Sequence, residues 1–297
     1  MKLLITGGSG AVGKHLQEIL PDAIYADSTY DLRDWLATED LFETHKPTHV
    51  VHLAAKVGGI KDNIAKPAEY FNDNILINTH VLNMCKMYNV KRFIGILSTC
   101  IYPDKVKGLE FSYPMTEENL FLGPPTPTNF SYAYAKRCLA VHIDAHNKQY
   151  GTKYNYLIPC NLYSEYDNFE DENKMHFITA LLKKIKTSKK TLNLLGSGIP
   201  LRQFMYAGDL ARVIKIVLDK DITHSFNVAV SENKTIHNMA HTAIKSLKKD
   251  LEIKWSGEFN GQFRKDVCNK KMLSYIPNFK FTSFKKGIKK VYSKIWK

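Results

Sequence analysis

No stretch of the 297 residues approaches the roughly 18 consecutive apolar side chains that a membrane-crossing helix needs, so a membrane protein is not expected. The opening MKLLITGGSG offers three apolar residues before Thr6 and Gly7, too few for a signal-peptide core, and a cytoplasmic location is the expectation. Cysteine is sparse. Cys85, Cys100, Cys138, Cys160 and Cys268 are odd in number and form no CxxC pair, which suits free thiols in a reducing compartment and leaves no metal site to predict. Internal repeats are missing, and the one proline-rich stretch, Gly123 to Asn129, reads as a loop rather than a linker. The formal charge of +13 is spread along the chain, and its denser stretches lack interleaved aromatics or zinc-finger spacing, so nucleic-acid binding is not expected either.

What is present is an ordinary globular composition, 44% apolar and 24% charged, in a chain long enough for about two domains. Leu3 to Thr6 is a short buried-strand pattern, Gly7 to Gly10 a turn, and Ala11 to Leu16 opens an amphipathic helix closed by Pro21. Apolar strand patterns recur at 23–26, 50–55, 92–98 and 154–159, with helical patterns at 35–45, 67–88 and 132–149 between them. Strand and helix in alternation predict an α/β fold with a doubly wound parallel sheet. Beyond Asn161 the pattern loosens into a helix over 173–186 and a short strand around 192–195. The expected organisation is a dinucleotide-binding domain over 1–162 with a return segment over 203–230, and a smaller substrate domain made of 163–202 and 231–297.

Gly7, Gly10 and Gly13 follow the first strand and open the first helix, where backbone must come close to a pyrophosphate at the positive helix end; Ala11 and Val12 belong to the same turn. Asp27 ends the second strand twenty residues after Gly7, at the place where a carboxylate accepts from an adenosine ribose hydroxyl, which favours NAD(H). Asp31 and Leu32, just beyond it, and Ala54, at the end of the third strand, are further candidate cofactor contacts. Ser98 closes another strand, and Tyr132 and Lys136 lie four residues apart on one helix face. A lysine ammonium beside a phenol favours the phenolate, so the tyrosine pKa is expected to fall toward neutrality and make Tyr132 a usable acid.

These residues together resemble the extended short-chain dehydrogenase/reductases. Within them Ala54 to Ile60 (AAKVGGI), Ser98 to Pro103 (STCIYP), Pro127 to Asn129 ahead of Tyr132, Asn161 to Tyr163, Asp167 to Phe169, and Gly196-x-Gly198-x-Pro200-x-Arg202-x-Phe204 look most like the epimerase/reductases of GDP-4-keto-6-deoxymannose. The resemblance implies NADP(H) as cofactor, a GDP-linked sugar as substrate and a homodimer paired through the two long helices. It implies that Tyr132 protonates O4, Lys136 tunes it and holds the nicotinamide ribose, and Ser98 binds the ketone oxygen. Cys100 and His176 would be the base and acid of C3 and C5 epimerisation. Arg202, Lys184 and Lys265 would hold the diphosphate, with Val57, Gly58, Asn129 and Asn161 as further substrate contacts.

Two departures from that pattern bear on function. NADPH-preferring members carry arginines in the glycine turn and after the second strand, where this chain has Ser9 and Asp27-Ser28-Thr29. Ser164 stands in place of an expected glycine, and some relatives act only as C4 reductases on GDP-linked 6-deoxyheptoses. That activity is the alternative reading, and a catalytically silent dinucleotide-binding regulator is a more remote one.

Overall fold

A computed structural model describes residues 1–104, 112–171, 175–257 and 262–296. Its first half lays down β1 (Leu3–Thr6), α1 (Ala11–Ile19), β2 (Ile24–Ala26), α2 (Trp35–His45) and β3 (His49–His52). Next come α3 (Ile60–Ala65), α4 (Pro67–Met87), β4 (Arg92–Ile96), α5 (Phe130–Tyr150) and β5 (Asn155–Pro159). The second half continues with β6 (Asn161–Tyr163), α6 (Phe177–Thr187), β7 (Thr191–Leu194), β8 (Leu201–Arg202), β9 (Phe204–Tyr206) and α7 (Ala207–Asp219). It closes with β10 (Phe226–Val228), β11 (Lys234–Thr235), α8 (Ile236–Ser246), β12 (Glu252–Trp255), β13 (Arg264–Lys265), α9 (Lys270–Tyr275) and α10 (Phe284–Ile295).

Six strands form one parallel sheet in the order β10-β5-β4-β3-β1-β2. This is the doubly wound α/β architecture that the alternation of patterns predicts. The chain steps from β1 to β2 on one side and then crosses to β3 on the other, so the switch in winding lies between β1 and β3, where such sheets bind ligands. The buried runs of β1, β3 and β4 are apolar on both faces because helices cover both, and Leu4, Ile5, Val50, Val51, Phe93 and Ile94 are fully buried.

A second hydrophobic cluster gathers Tyr163, Leu181, Leu182, Phe204, Met239 and Ile288 under α6, α8 and α10. The chain returns to the large sheet through α7 and β10. Val267, Met272 and Ile276, from the stretch expected to belong to the smaller domain, pack into the larger cluster.

Element ends differ from the pattern in informative ways. β3 runs over His49–His52, shorter than the pattern over 50–55 at its C-terminal end, although the Leu53 amide still donates to the Thr6 carbonyl. The helix expected to begin at Asn173, a residue outside those described, runs from Phe177 with His176 as its N-cap. α5 starts at Phe130, which puts Tyr132 in its first turn. Among the described residues no helix is long and apolar enough to cross a membrane.

Candidate active site

The turn between β1 and α1 is built by backbone that only glycine permits. Gly7 has φ +72, in the left-handed region, and a Cβ on Gly13 would lie 2.5 Å from the Gly8 carbonyl oxygen. The chain therefore packs backbone against backbone at Gly7, Gly10 and Gly13, with the Gly10 amide donating to the Gly7 carbonyl at 3.1 Å. Gly10 is the N-cap of α1 and supplies no side-chain acceptor, so the helix start at Ala11 and Val12 presents its amides to whatever binds there. Ala54 backbone lies directly against Gly7, which closes the switch point from the β3 side.

Below the turn a buried polar chain ties four elements together, β1, β3, α4 and α5. Thr6 Oγ1 and His52 Nδ1 are 2.8 Å apart, His52 Nε2 and Asn78 Oδ1 3.1 Å, and Asn78 donates to the Ala135 carbonyl in α5. Burial pushes the His52 imidazole down to about 3, so it is neutral.

Just beyond β2, Asp27 is exposed and accepts from the Thr29 amide and hydroxyl, and these bonds lower its pKa. Asp31 is engaged differently from the expectation. Its two oxygens take Nε and Nη2 of Arg33 at 2.8 and 2.7 Å, which draws the carboxyl down to about 2. Leu32 is buried.

The chemistry-bearing residues meet at the C-terminal end of β4. Ser98 caps the short 3-10 turn Thr99–Ile101, its Oγ accepting from the Cys100 amide at 3.3 Å. Lys136, one turn beyond Tyr132 on α5, is 2% exposed and donates from Nζ to the Ile96 carbonyl at 2.9 Å. Burial holds its ammonium down to about 8.

One expectation fails here. The Tyr132 phenol is raised rather than lowered, because desolvation dominates and the neighbouring Cys100 and Tyr70 add to it. The lysine expected to favour the phenolate is itself buried and bonded to Ile96, and Tyr132 holds its proton firmly.

Tyr70, a residue the sequence did not single out, packs edge-on against Tyr132 with ring centres 6.5 Å apart. Its hydroxyl donates to Asp62 at 2.6 Å, and a Cβ on Gly58 would sit 2.0 Å from that oxygen. Gly58 is thus needed for the 54–59 loop to close over Tyr70, while Lys56 fastens the loop to Glu69 and Asp73 and leaves Val57 exposed.

Cations crowd the other flank. β8 and β13 pair so that Arg202 and Lys265 stand opposite one another. Arg202 donates to the Leu201 and Gln262 carbonyls, and Lys265 is held down to about 8 by burial. The Cys100 thiol is raised: burial pushes it up, and Lys265, Ser98, Lys136 and Arg137 offset only part of that. Arg137 was also missed, its only signal being its place next to Lys136. It donates to the Ile101 carbonyl, and its Nη2 is buried with no hydrogen-bond partner among the described residues.

Four further candidates remain. His176 is exposed at the start of α6, where it bears on Asp167, and Lys184 donates to the Asn193 carbonyl. Asn161 donates to the Gln203 carbonyl. Asn129, the N-cap of α5, keeps a buried Oδ1 that no described residue satisfies.

Residues 3–229 match the model of the NAD dependent epimerase/dehydratase family. A GDP-L-fucose synthase of Dictyostelium discoideum is 36% identical over 302 residues, 97% of this chain and 92% of its own. A GDP-L-fucose synthetase from Naegleria fowleri, solved bound to NADP, superposes with TM-score 0.86 at 33% identity, covering 98% of this chain and 91% of that one. A GDP-mannoheptose C4 reductase from Campylobacter jejuni with NADP bound superposes with TM-score 0.85 at 25% identity, over 98% and 97%.

Proposed function

This chain belongs to the NAD dependent epimerase/dehydratase family, and from that premise we propose that it reduces C4 of a GDP-linked 4-keto-6-deoxy sugar after epimerising C3 and C5. The observation that carries the reading is the gathering of Ser98, Tyr132 and Lys136 about the end of β4, with Cys100 in the turn that Ser98 caps.

The residues fit a dinucleotide. The glycine turn leaves no space for a Cβ at Gly13, and the start of α1 is uncapped by any side chain. Bound there, a reduced nicotinamide dinucleotide supplies the hydride that C4 receives. Family likeness favours NADPH. The acidic and hydroxyl side chains of Asp27, Ser28 and Thr29 offer a 2′-phosphate no cation, which supports use of NADH as well.

In the sugar, the C4 ketone acidifies the hydrogens at C3 and C5. Cys100, as thiolate, takes one of these protons, the electron pair passes into the ketone as an enolate, and His176 returns a proton on the opposite face. Ser98 then holds the ketone oxygen, and Tyr132 gives its proton to O4 as C4 is reduced. A phenol that keeps its proton until then suits a donor. Lys136 would hold the nicotinamide ribose, and Arg202 and Lys265 would offset the charge of the diphosphate.

The second reading, C4 reduction alone on a GDP-linked 6-deoxyheptose, is favoured by one observation: His176 is exposed beside Asp167, while the charged groups bearing on Cys100 are Lys265, Lys136 and Arg137. Ser98, Tyr132 and Lys136 standing together count against a silent regulator. We place the enzyme in the cytoplasm on its free thiols, and as a homodimer on the α4 and α5 pair, which leaves Phe71, Met87 and Val141 exposed.

The test is an NMR time course in deuterated water with GDP-4-keto-6-deoxymannose and with its heptose counterpart. Solvent deuterium at C3 and C5 before reduction supports the bifunctional reading. Reduction without deuterium supports the second, and no turnover of either sugar defeats both.

A further inference from the structure

Away from the cluster at the end of β4, α1 meets the smaller lobe through buried polar groups centred on His15. Leu16 of α1 packs in the larger hydrophobic cluster, whereas Tyr163, Tyr206 and α10 belong to the smaller one, so this contact joins the two. His15 is 3% exposed. Its Nε2 lies 3.0 Å from Ser164 Oγ and 3.7 Å from Glu165 Oε2, and its Nδ1 lies 3.7 Å from Glu18 Oε2. The rings of Tyr166 and Tyr206 meet the imidazole edge-on, each with its centre 5.0 Å away. Ser164 stands where a glycine is expected, and a glycine has no hydroxyl for this bond.

Glu165 is buried with His15. Its Oε1 accepts from the Tyr206 hydroxyl at 2.8 Å and has the Lys290 ammonium of α10 at 3.8 Å, while Oε2 has no hydrogen-bond partner among the described residues. Glu18, on the outer side, accepts from the Tyr166 hydroxyl at 2.6 Å. The imidazole is thus ringed by two carboxyl groups and one ammonium, with a neutral hydroxyl as its close partner. Burial pushes the ring down from its ordinary 6.5; Glu165 and Glu18 oppose this, Lys290 adds to it, and burial prevails.

We propose that His15 is an acid-operated latch between the lobes: neutral, it lets α1 close on residues 164–167, and on taking a proton from water it drives that junction to open and hydrate. A ring solvated in the open form binds its proton near 6.5 and the buried ring binds it less readily, so acid favours the open form. The same segment reaches α6, because Asp167 Oδ2 accepts from the Ser164 amide at 3.0 Å and from the Thr179 hydroxyl at 2.9 Å. Loosening there carries to the start of the helix that His176 caps. The inference stands apart from the reading of Cys100 and His176 as epimerising groups.

Hydrogen exchange read by mass spectrometry at pH 7.5 and pH 5, corrected for the intrinsic rate, tests the latch without any sugar. The informative peptide covers 163–167, where the amides of Ser164, Tyr166 and Asp167 are bonded within the segment. Its protection in wild type is expected to fall about tenfold in acid, the change that one unit of displaced titration gives, while a β4 peptide holds steady. His15→Gln keeps a polar side chain against Ser164 without a titrating ring, and its protection is expected to stay flat. His15→Phe is expected to do the same and keeps the test open if the glutamine variant folds poorly. In the wild-type protein, NMR titration of the His15 ring is expected to give a midpoint below 6.5. Wild-type protection that is flat or rises in acid, a fall shared equally by β4 or by the His15 variants, or a ring midpoint at or above 6.5 would overturn the proposal.

Discussion

Lys136 is buried to 2% exposure as an ammonium whose pKa is held down to about 8, whereas in an unfolded chain a lysine titrates near 10.4. Between those two values the unfolded chain binds a proton that the folded protein does not, so stability rises with pH across that window and the gain is absent below about pH 8. The difference is worth about 3 kcal/mol at 1.36 kcal/mol per unit. Lys136→Met removes the titrating group. Urea unfolding of both proteins at pH 7 and pH 10 forms a cycle in which packing changes cancel, and wild type is expected to gain on the variant by roughly 2 to 3 kcal/mol as pH rises. The Nζ bond to the Ile96 carbonyl drops out of the same comparison, because it is lost at both pH values. A difference between the two proteins that stays flat with pH would refute the claim that a buried, strained ammonium stands beside the acid. On the proposed role of Lys136 at the nicotinamide ribose, turnover should run the other way, and wild-type reduction should decline above about pH 8.

Tyr132→Phe keeps the ring that packs on Tyr70 and removes the proton donor; kcat should fall by about 10²–10⁴-fold while cofactor binding, followed by fluorescence titration, survives. Steady-state kinetics with NADH and NADPH side by side should show poor discrimination, since Asp27 is occupied with Thr29 and is followed directly by Ser28 and Thr29, and a strong NADPH preference would mean that lysines from elsewhere grip the 2′-phosphate. Cys100→Ser should spare hydride transfer yet abolish solvent deuterium at C3 and C5, giving the unepimerised C4-reduced sugar by NMR; unchanged deuterium incorporation would remove Cys100 from the epimerase role.

Local pattern carried the parts of the fold where a signal is completed within one element. The strand, glycine turn and helix from Leu3 to Ile19 are legible because three glycines and an amphipathic face follow each other without interruption, and α2 runs over Trp35–His45 as its periodicity predicts. Tyr132 and Lys136 are legible for the same reason, a fixed spacing on one helix. The second lobe is not. β8, β11 and β13 have two residues each, too short for any alternation, and they form a sheet only by pairing segments distant in sequence. The opposition of Arg202 and Lys265 is therefore a fact of register that no window along the chain contains. Charge states were the least legible property. Proximity of Lys136 argued for an acidic phenol, and the desolvation that reversed the sign is a property of the assembled core.

That register has a consequence for a chain synthesised from its N-terminus. The glycine turn, the Ser98 turn and α5 are all complete once Pro159 has left the ribosome, and the sheet gains its last strand with Val228. Lys265 follows later still, and until it pairs with β8 the Arg202 side of the clamp has no opposite number. On the roles proposed for these residues, the nascent protein acquires its grip on a dinucleotide before it acquires one on a nucleotide sugar, and a molecule arrested between those points would be saturable by cofactor yet blind to substrate.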